Sequence, residues 1–417
     1  MKRLGLWFAV AVTVSVAVPA ERAAGGQFAF GDTDRVLFFS STAMWPASYG
    51  MQIETFVRVK YPQLKTRFWH WGPSLPVKLP EMKTCIDDYL PVFEPTVVVL
   101  NCGLDDGEVK PLVESKLGVF RTDLLAMIEK CEKAGAKVIL VTPNCPEKSR
   151  KTALIKADYD EVVDRYAQVM RDVAAERKLM VIDWYAATRE RLGDSGQGKD
   201  KRNALTTDGL HATPLAHAIA TDVMLEAFGA EPHEVTVHVD WASLEARTTV
   251  GSISATRKDD SAVTVALGEF PMPWAFPRGA RLFEPDRPGA RFCRFIFHLH
   301  NVPPGGVLIS EGGGKPTPWL EGMLEEGFDM ASVGPLITAR PVQELMNEIF
   351  KRKNLRLDQL ERFLQKPLAE PEYAEVNVMY RKAMVAELEA VDRVMNRTPR
   401  TMDVALEIKL AKPPAGK

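Results

Sequence analysis

From residue 34 to about residue 228 the chain alternates short apolar runs with amphipathic stretches. Val36-Leu37-Phe38-Phe39, Phe68-Trp69, Thr96-Val97-Val98-Val99-Leu100, Val138-Ile139-Leu140-Val141 and Met180-Val181-Ile182 are unbroken by charge. Runs of this kind suit strands covered on both faces. Between them, apolar side chains recur at helical spacing: Ile53, Phe56 and Val57; Phe120, Leu124, Met127, Ile128 and Cys131; Tyr159, Val162, Tyr166, Val169 and Val173. Pro214 opens a further helix, with its cap at Thr213. The alternation predicts an α/β domain over 34–228, built on a five-stranded parallel sheet flanked by helices. In such sheets functional groups gather at the carboxyl ends of the strands.

Near residue 234 the rhythm changes. Val235-Thr236-Val237-His238-Val239, Ala262-Val263-Thr264-Val265-Ala266 and Phe295-Ile296-Phe297-His298-Leu299-His300 alternate with period two, and Pro and Gly punctuate them. This predicts a small antiparallel β unit over 234–312. A mainly helical extension is expected over 313–410, with helices in 341–395 broken near Pro367 and Pro371 and a last strand at Val404-Ala405-Leu406-Glu407-Ile408. Residues 411–417 read as a disordered tail.

The first 20 residues change the picture of where this domain works. Lys2 and Arg3 precede an apolar run from Leu4 to Val18, and Val18-Pro19-Ala20 offers small residues for a signal peptidase. The run is short for a membrane span, so a cleaved signal peptide over 1–20 and export, periplasmic or secreted, are expected, with no membrane span left in the mature chain. The 417 residues carry a net charge of -2 with both signs interspersed. No basic stripe is present, which argues against a nucleic-acid partner. Cys85, Cys102, Cys131, Cys145 and Cys293 are too few and too scattered for a disulfide framework. Cys102 and Cys145 both follow predicted strands, and either a bridge or two core thiols would suit them.

The candidate chemistry centres on Thr206-Thr207-Asp208-Gly209-Leu210-His211. An Asp three residues before a His can fix the imidazole tautomer, while the ring takes a proton from a hydroxyl supplied elsewhere. The same Asp could instead cap the helix that follows. Hydroxyls stand at the end of the first strand in Ser40-Ser41-Thr42, where Thr42 also reads as a turn or N-cap residue and either serine could serve instead. Asp105 and Asp106 follow the third strand and could hold a cation or form a solvated turn. Trp45, Trp69, Trp71 and His70 could stack on a sugar ring or pack in the core. His298 and His300 lie two apart on one strand and His238 on another, and two or three His on one β surface could bind zinc, but their spacing matches no known ligand frame. No metal and no cofactor is therefore expected.

The order and spacing of four segments resembles the SGNH hydrolases, the GDSL-like lipase/acylhydrolase family. They are Ser40-Ser41-Thr42-Ala43, His70-Trp71-Gly72-Pro73-Ser74-Leu75, Asn101-Cys102-Gly103-Leu104-Asp105-Asp106-Gly107 and Asp208-Gly209-Leu210-His211. The resemblance spans about 34–228 and implies a flavodoxin-like α/β/α sandwich that hydrolyses esters, often acetyl groups on carbohydrates. The stretch from Phe295 to Ala331 is similar to the C-terminal extension of some large exported members. Carried over, Asp208 and His211 meet the family's Asp-x-x-His motif. Thr42 takes the place of the nucleophilic Ser, Leu75 that of an oxyanion-hole Gly and Asp105 that of the oxyanion-hole Asn.

In three of the four segments the family's residue is therefore changed. Thr42 keeps a hydroxyl but adds a methyl that stiffens χ1. Leu75 keeps its backbone N–H and puts a side chain where an acyl oxygen approaches. An ionised Asp105 only accepts hydrogen bonds and would repel an oxyanion, and a protonated one would need a strongly raised pKa in a dry site. Two functions follow. One is an exported acyl-ester hydrolase of weak or lost activity, acting on a small ester or an acetylated glycan through Thr42, His211 and Asp208. The other is a catalytically inactive pseudo-hydrolase that binds a glycan or a partner protein.

Overall fold

The computed structural model describes residues 28–41, 48–72, 77–147, 159–193, 204–272, 274, 290–330, 340–350, 374–395 and 401–411. The expected signal peptide and residues 412–417 of the expected tail lie outside them.

Five strands form a parallel sheet: β1 (Arg35–Ser40), β2 (Arg67–Trp71), β3 (Val97–Asn101), β4 (Lys137–Val141) and β5 (Met180–Ile182). Their order across the sheet is β2-β1-β3-β4-β5, so the chain winds outward from β1 in both directions. The helices are α1 (Tyr49–Lys60), α2 (Leu79–Phe93), α3 (Glu114–Lys133), α4 (Tyr159–Arg177), α5 (Trp184–Leu192) and α6 (Pro214–Ala227). They pack in two sets, α2 with α3 and α3 with α4, and α1 with α6 and α6 with α5. Every residue of β3 is buried, which is why its sequence shows no polar alternation. Burying each of Val98, Val99 and Leu100 stabilises the fold by about 1.5–3 kcal/mol. At the start of α6, Thr213 Oγ1 accepts from the N–H of Ala216 at 3.3 Å, and Pro214 occupies the first turn, where no N–H donor is needed.

The second part differs from the sequence reading in its pairing and extent. One sheet has the order β13-β10-β6-β7, formed by β6 (Glu234–Asp240), β7 (Ala246–Thr248), β10 (Arg294–His300) and β13 (Phe328–Asp329). Within it β6 and β10 run parallel, where antiparallel pairing was expected. The other sheet has the order β12-β11-β14-β9-β8. It comprises β8 (Ser252–Asp259), β9 (Ala262–Pro271), β11 (Val307–Glu311), β12 (Thr317–Trp319) and β14 (Thr401–Leu410), and is antiparallel throughout. The β unit thus runs past 312 and recruits the last strand of the described chain. Period two in a sequence specifies which face a side chain takes, not which strand lies beside it. Ala411, placed in the expected tail, donates its N–H to Gly306 O at 3.0 Å.

Of the extension, α7 (Glu321–Glu326), α8 (Arg340–Ile349) and α9 (Ala374–Met395) are described. Leu345, Met346 and Ile349 of α8 pack on Met51 of α1. Asp392 of α9 reaches Arg58 of α1 at 2.8 Å in a buried ion pair. No described helix is long and apolar enough to cross a membrane.

Candidate functional site

The carboxyl ends of β1, β3 and β4 are tied together by one side chain. Asn101, the last residue of β3, accepts from Ser40 Oγ at 3.0 Å and donates through Nδ2 to the carbonyls of Val141 and Thr142 at 3.0 and 3.1 Å. These groups are buried, and each such bond contributes about 0.5–1.5 kcal/mol. The chain leaves β1 through Ser41, whose N–H donates to Asn101 O at 2.9 Å. The Ser41 side chain is fully buried, and its hydroxyl has no hydrogen-bond partner among the described residues. Thr42 follows directly. Thr42, Trp45 and Leu75 all lie outside the described residues.

The aromatic residues ending β2 belong to the core and are not a sugar-stacking platform. Trp71 stacks on Phe39 at 4.0 Å between ring centroids, and Trp69 stacks on Phe93 at 4.9 Å. His70 Nε2 lies 2.7 Å from the buried Glu54 carboxylate.

The loop after β3 turns tightly. Asp106 spends both oxygens on backbone donors, Leu79 N–H at 2.9 Å and Gly103 N–H at 3.0 Å. It is a structural turn residue rather than a free cation ligand. Tyr159 Oη of α4 donates to Leu104 O at 2.7 Å. A Cβ at Gly107 would come within 2.7 Å of that hydroxyl oxygen, so the close approach of α4 requires glycine there. Asp105 is left over: its Oδ2 is buried and has no hydrogen-bond partner among the described residues. Burial raises its pKa to about 7. The proximity of His211 opposes that rise, while Asp106 and Asp208 add to it. Near neutral pH about half of the Asp105 carboxyls are protonated and carry an O–H donor, so the replacement of Asn is less damaging than its charge suggests.

The loop from 204 to 213 carries the other two groups. Asp208 Oδ2 lies 2.6 Å from His211 Nδ1, and Asp208 Oδ1 accepts from the backbone N–H groups of Leu210 and His211 at 3.0 and 2.9 Å. Burial pushes the Asp208 pKa up, but the bonds from His211 and Leu210 outweigh it and hold it below the ordinary value. An ionised Asp208 on Nδ1–H leaves Nε2 as the basic nitrogen. The helix cap is Thr213, so Asp208 serves the ring and its own turn.

Two positioning residues had no signal in the sequence. Glu147 Oε2 accepts from Thr206 N–H and Thr206 Oγ1 at 3.1 and 2.9 Å, and Glu147 N–H donates to Gly209 O at 2.9 Å. Asn144 Nδ2 donates to Leu210 O at 2.8 Å. Both residues follow β4, and only strand-end placement could have pointed to them. Cys102 and Cys145 are buried free thiols, with burial pushing the Cys145 pKa up to about 11.

Residues 79–219 match the GDSL-like Lipase/Acylhydrolase family. The α/β domain of this chain belongs to that family, a class of hydrolases. No curated protein matches the chain. Among solved structures, BT4096, a gut microbial diltiazem-metabolizing enzyme, shares the fold with a TM-score of 0.67 at 13% identity, covering 93% of this chain and 100% of that one. Axe2, an acetylxylan esterase from Geobacillus stearothermophilus, aligns at 19% identity and a TM-score of 0.41, over 49% of this chain and 97% of its own. LAE5, an alpha/beta hydrolase from the metagenome of Lake Arreo in Spain, aligns at 15% identity and a TM-score of 0.39, over 48% and 98%.

Proposed function

We propose that the protein is an exported acyl-ester hydrolase acting on a small ester or an acetylated glycan, with Thr42 as nucleophile, His211 as base and Asp208 orienting it. The observation that carries the reading is the 2.6 Å contact of Asp208 with His211 Nδ1, near a buried Asp105 Oδ2 that has no hydrogen-bond partner among the described residues. The reading takes the two helix sets as outer layers of a flavodoxin-like α/β/α sandwich. His211 Nε2 takes the Thr42 hydroxyl proton as Oγ1 bonds to the acyl carbon. The carbonyl becomes an oxyanion that accepts a hydrogen bond from protonated Asp105. Collapse expels the alcohol, which takes the proton from imidazolium, and water then releases the acid from the acyl-threonine by the same steps. Activity is weak, because Asp105 donates only while protonated and Leu75 stands in place of the family's glycine.

The test is hydrolysis of an aryl acetate by purified protein, beside Thr42→Ala, Ser41→Ala and His211→Ala. Turnover abolished by His211→Ala and Thr42→Ala but kept by Ser41→Ala supports the assignment. Loss in Ser41→Ala alone would move the nucleophile to Ser41. A folded native protein without any turnover would leave the pseudo-hydrolase that binds a glycan or partner.

A further inference from the structure

Parallel pairing of β6 and β10 sets His238 directly opposite His298, and His300 follows two residues on along β10, on the same face. The alternate residues Val237, Val239, Phe297 and Leu299 are buried in the core, so the three imidazoles share the partly exposed face. One nitrogen from each ring lies within 4.8 Å of the others. We propose that His238, His298 and His300 form a zinc site remote in sequence from the hydrolase loops, a site that no spacing in the sequence announced.

On β10 the tautomers are already arranged for it, while His238, whose Nδ1 faces His300 Nε2, has to move its Nδ1 proton to Nε2 to bind through Nδ1. Glu325 of α7 accepts the Nδ1–H of His300 on its carboxylate at 2.8 Å and that of His298 on its backbone carbonyl at 3.2 Å. Both rings of β10 therefore present an unprotonated Nε2. A carboxylate behind a metal-bound imidazole is the usual way to fix its orientation and raise its basicity. His300 Nε2 lies 3.1 Å from His238 Nδ1, close to the roughly 3.3 Å that ligands about 2.0–2.1 Å from one tetrahedral ion keep between them. The three rings are parallel within 11°. Stacked rings carry their lone pairs in parallel planes, so binding one ion requires the rings to turn about χ1 and χ2 and draws in His298.

The backbone makes room for this cluster. Gly327 has φ of 85°, and a Cβ there would fall 2.4 Å from His298 Cε1. The turn between α7 and β13 thus closes over the ring at a distance only glycine allows. Arg247 lies opposite His238 on β7 and opposes a cation, while the Glu325 carboxylate offsets it. Neutral imidazoles select a borderline ion such as zinc over magnesium or calcium, and three protein ligands leave a fourth position to water.

The experiment is zinc titration of the untagged, chelator-treated full chain, with bound metal measured after dialysis and cobalt absorption as a report of tetrahedral geometry. One zinc per chain is expected, with tetrahedral cobalt bands and a rise in Tm on zinc addition. His298→Ala and His238→Ala should abolish binding, Glu325→Gln should weaken it about 10–100-fold, and His211→Ala should leave it unchanged. Circular dichroism establishes that each variant is folded, and the native Tm shift stands independently of the variants. A native chain that retains no zinc overturns the site, as does full zinc retention in folded His298→Ala. Loss of zinc in His211→Ala alone would place the ion at the hydrolase loops and overturn it too.

Discussion

Glu147 and Thr206 are joined twice, through the backbone N–H and the hydroxyl of the threonine, both held by one carboxylate oxygen. That oxygen fixes the chain two residues ahead of Asp208, so the base is placed from the end of β4 as well as from its own loop. Glu147→Ala leaves both Thr206 donors buried and unpaired, a cost of about 2–4 kcal/mol. It should lower the denaturation midpoint, and it should lower kcat ten- to a hundred-fold with KM little changed, since the ring loses its aim rather than the substrate its pocket. Steady-state kinetics on an aryl acetate check this. Glu147→Gln keeps an acceptor and should recover most of both.

Asp105 gives a pH dependence of defined sign. Its folded value of about 7 stands above the ordinary unfolded value near 3.9, so the folded state holds the extra proton between them. Stability from this group is full below about pH 4 and is lost as pH rises through 7. Asp105→Asn removes the dependence. The variant should match the native protein near pH 4 and exceed it by roughly 2–4 kcal/mol at pH 8, at about 1.4 kcal/mol per pH interval of one. Urea unfolding at both pH values measures the difference.

The same group should shape the activity. Hydrolysis by the native protein should fall on the alkaline side with a midpoint near 7 as the donor becomes a repelling charge. In Asp105→Asn that limb should flatten. A native rate that keeps climbing from pH 6 to 9 would remove Asp105 from the oxyanion site.

Restoring the family pattern should raise turnover. The combined change Thr42→Ser, Leu75→Gly and Asp105→Asn is expected to increase aryl acetate hydrolysis at least tenfold, since an oxyanion donor is worth roughly a hundredfold or more. Near neutral pH the single changes should do little, because such groups act as a unit. A folded triple variant with no gain would show that the pocket itself has closed.

Arg58 bridges Glu54 of its own helix and Asp392 of α9, with all three side chains almost completely buried. Asp392→Ala should cost about 3–5 kcal/mol, because a buried guanidinium loses a counter-charge. Proteolysis should then cut within 374–395 faster than in the native chain. Equal cleavage rates would show that α9 is held by its apolar contacts alone.

Much of the first domain was legible because both faces of its strands are buried. Val97 to Leu100 leaves no room for another element, and α/β alternation then fixes parallel strands. The candidate base was legible for a related reason: Asp208 and His211 sit three residues apart, and one turn brings them together. What was not legible required contacts between distant segments. Glu147 says nothing about Thr206 in sequence. Asp105 reads as a solvated charge until α4 and the loop around it bury it. His238 meets His298 only because β6 and β10 are parallel neighbours.

β14 lies between β9 and β11, and the last residues of the sheet are also its middle. Leu406 pairs with Val265 on one side and Glu311 on the other. While the chain is being made, β8 with β9 and β11 with β12 are two separate ribbons, each with an open edge. Only when residues 401–410 arrive can the ribbons join. Such late, long-range closure folds slowly and leaves sticky edges waiting for a partner. A chain clipped before residue 401 would lose the keystone of this sheet rather than a loose end, and its two halves would then be free to pair with other molecules.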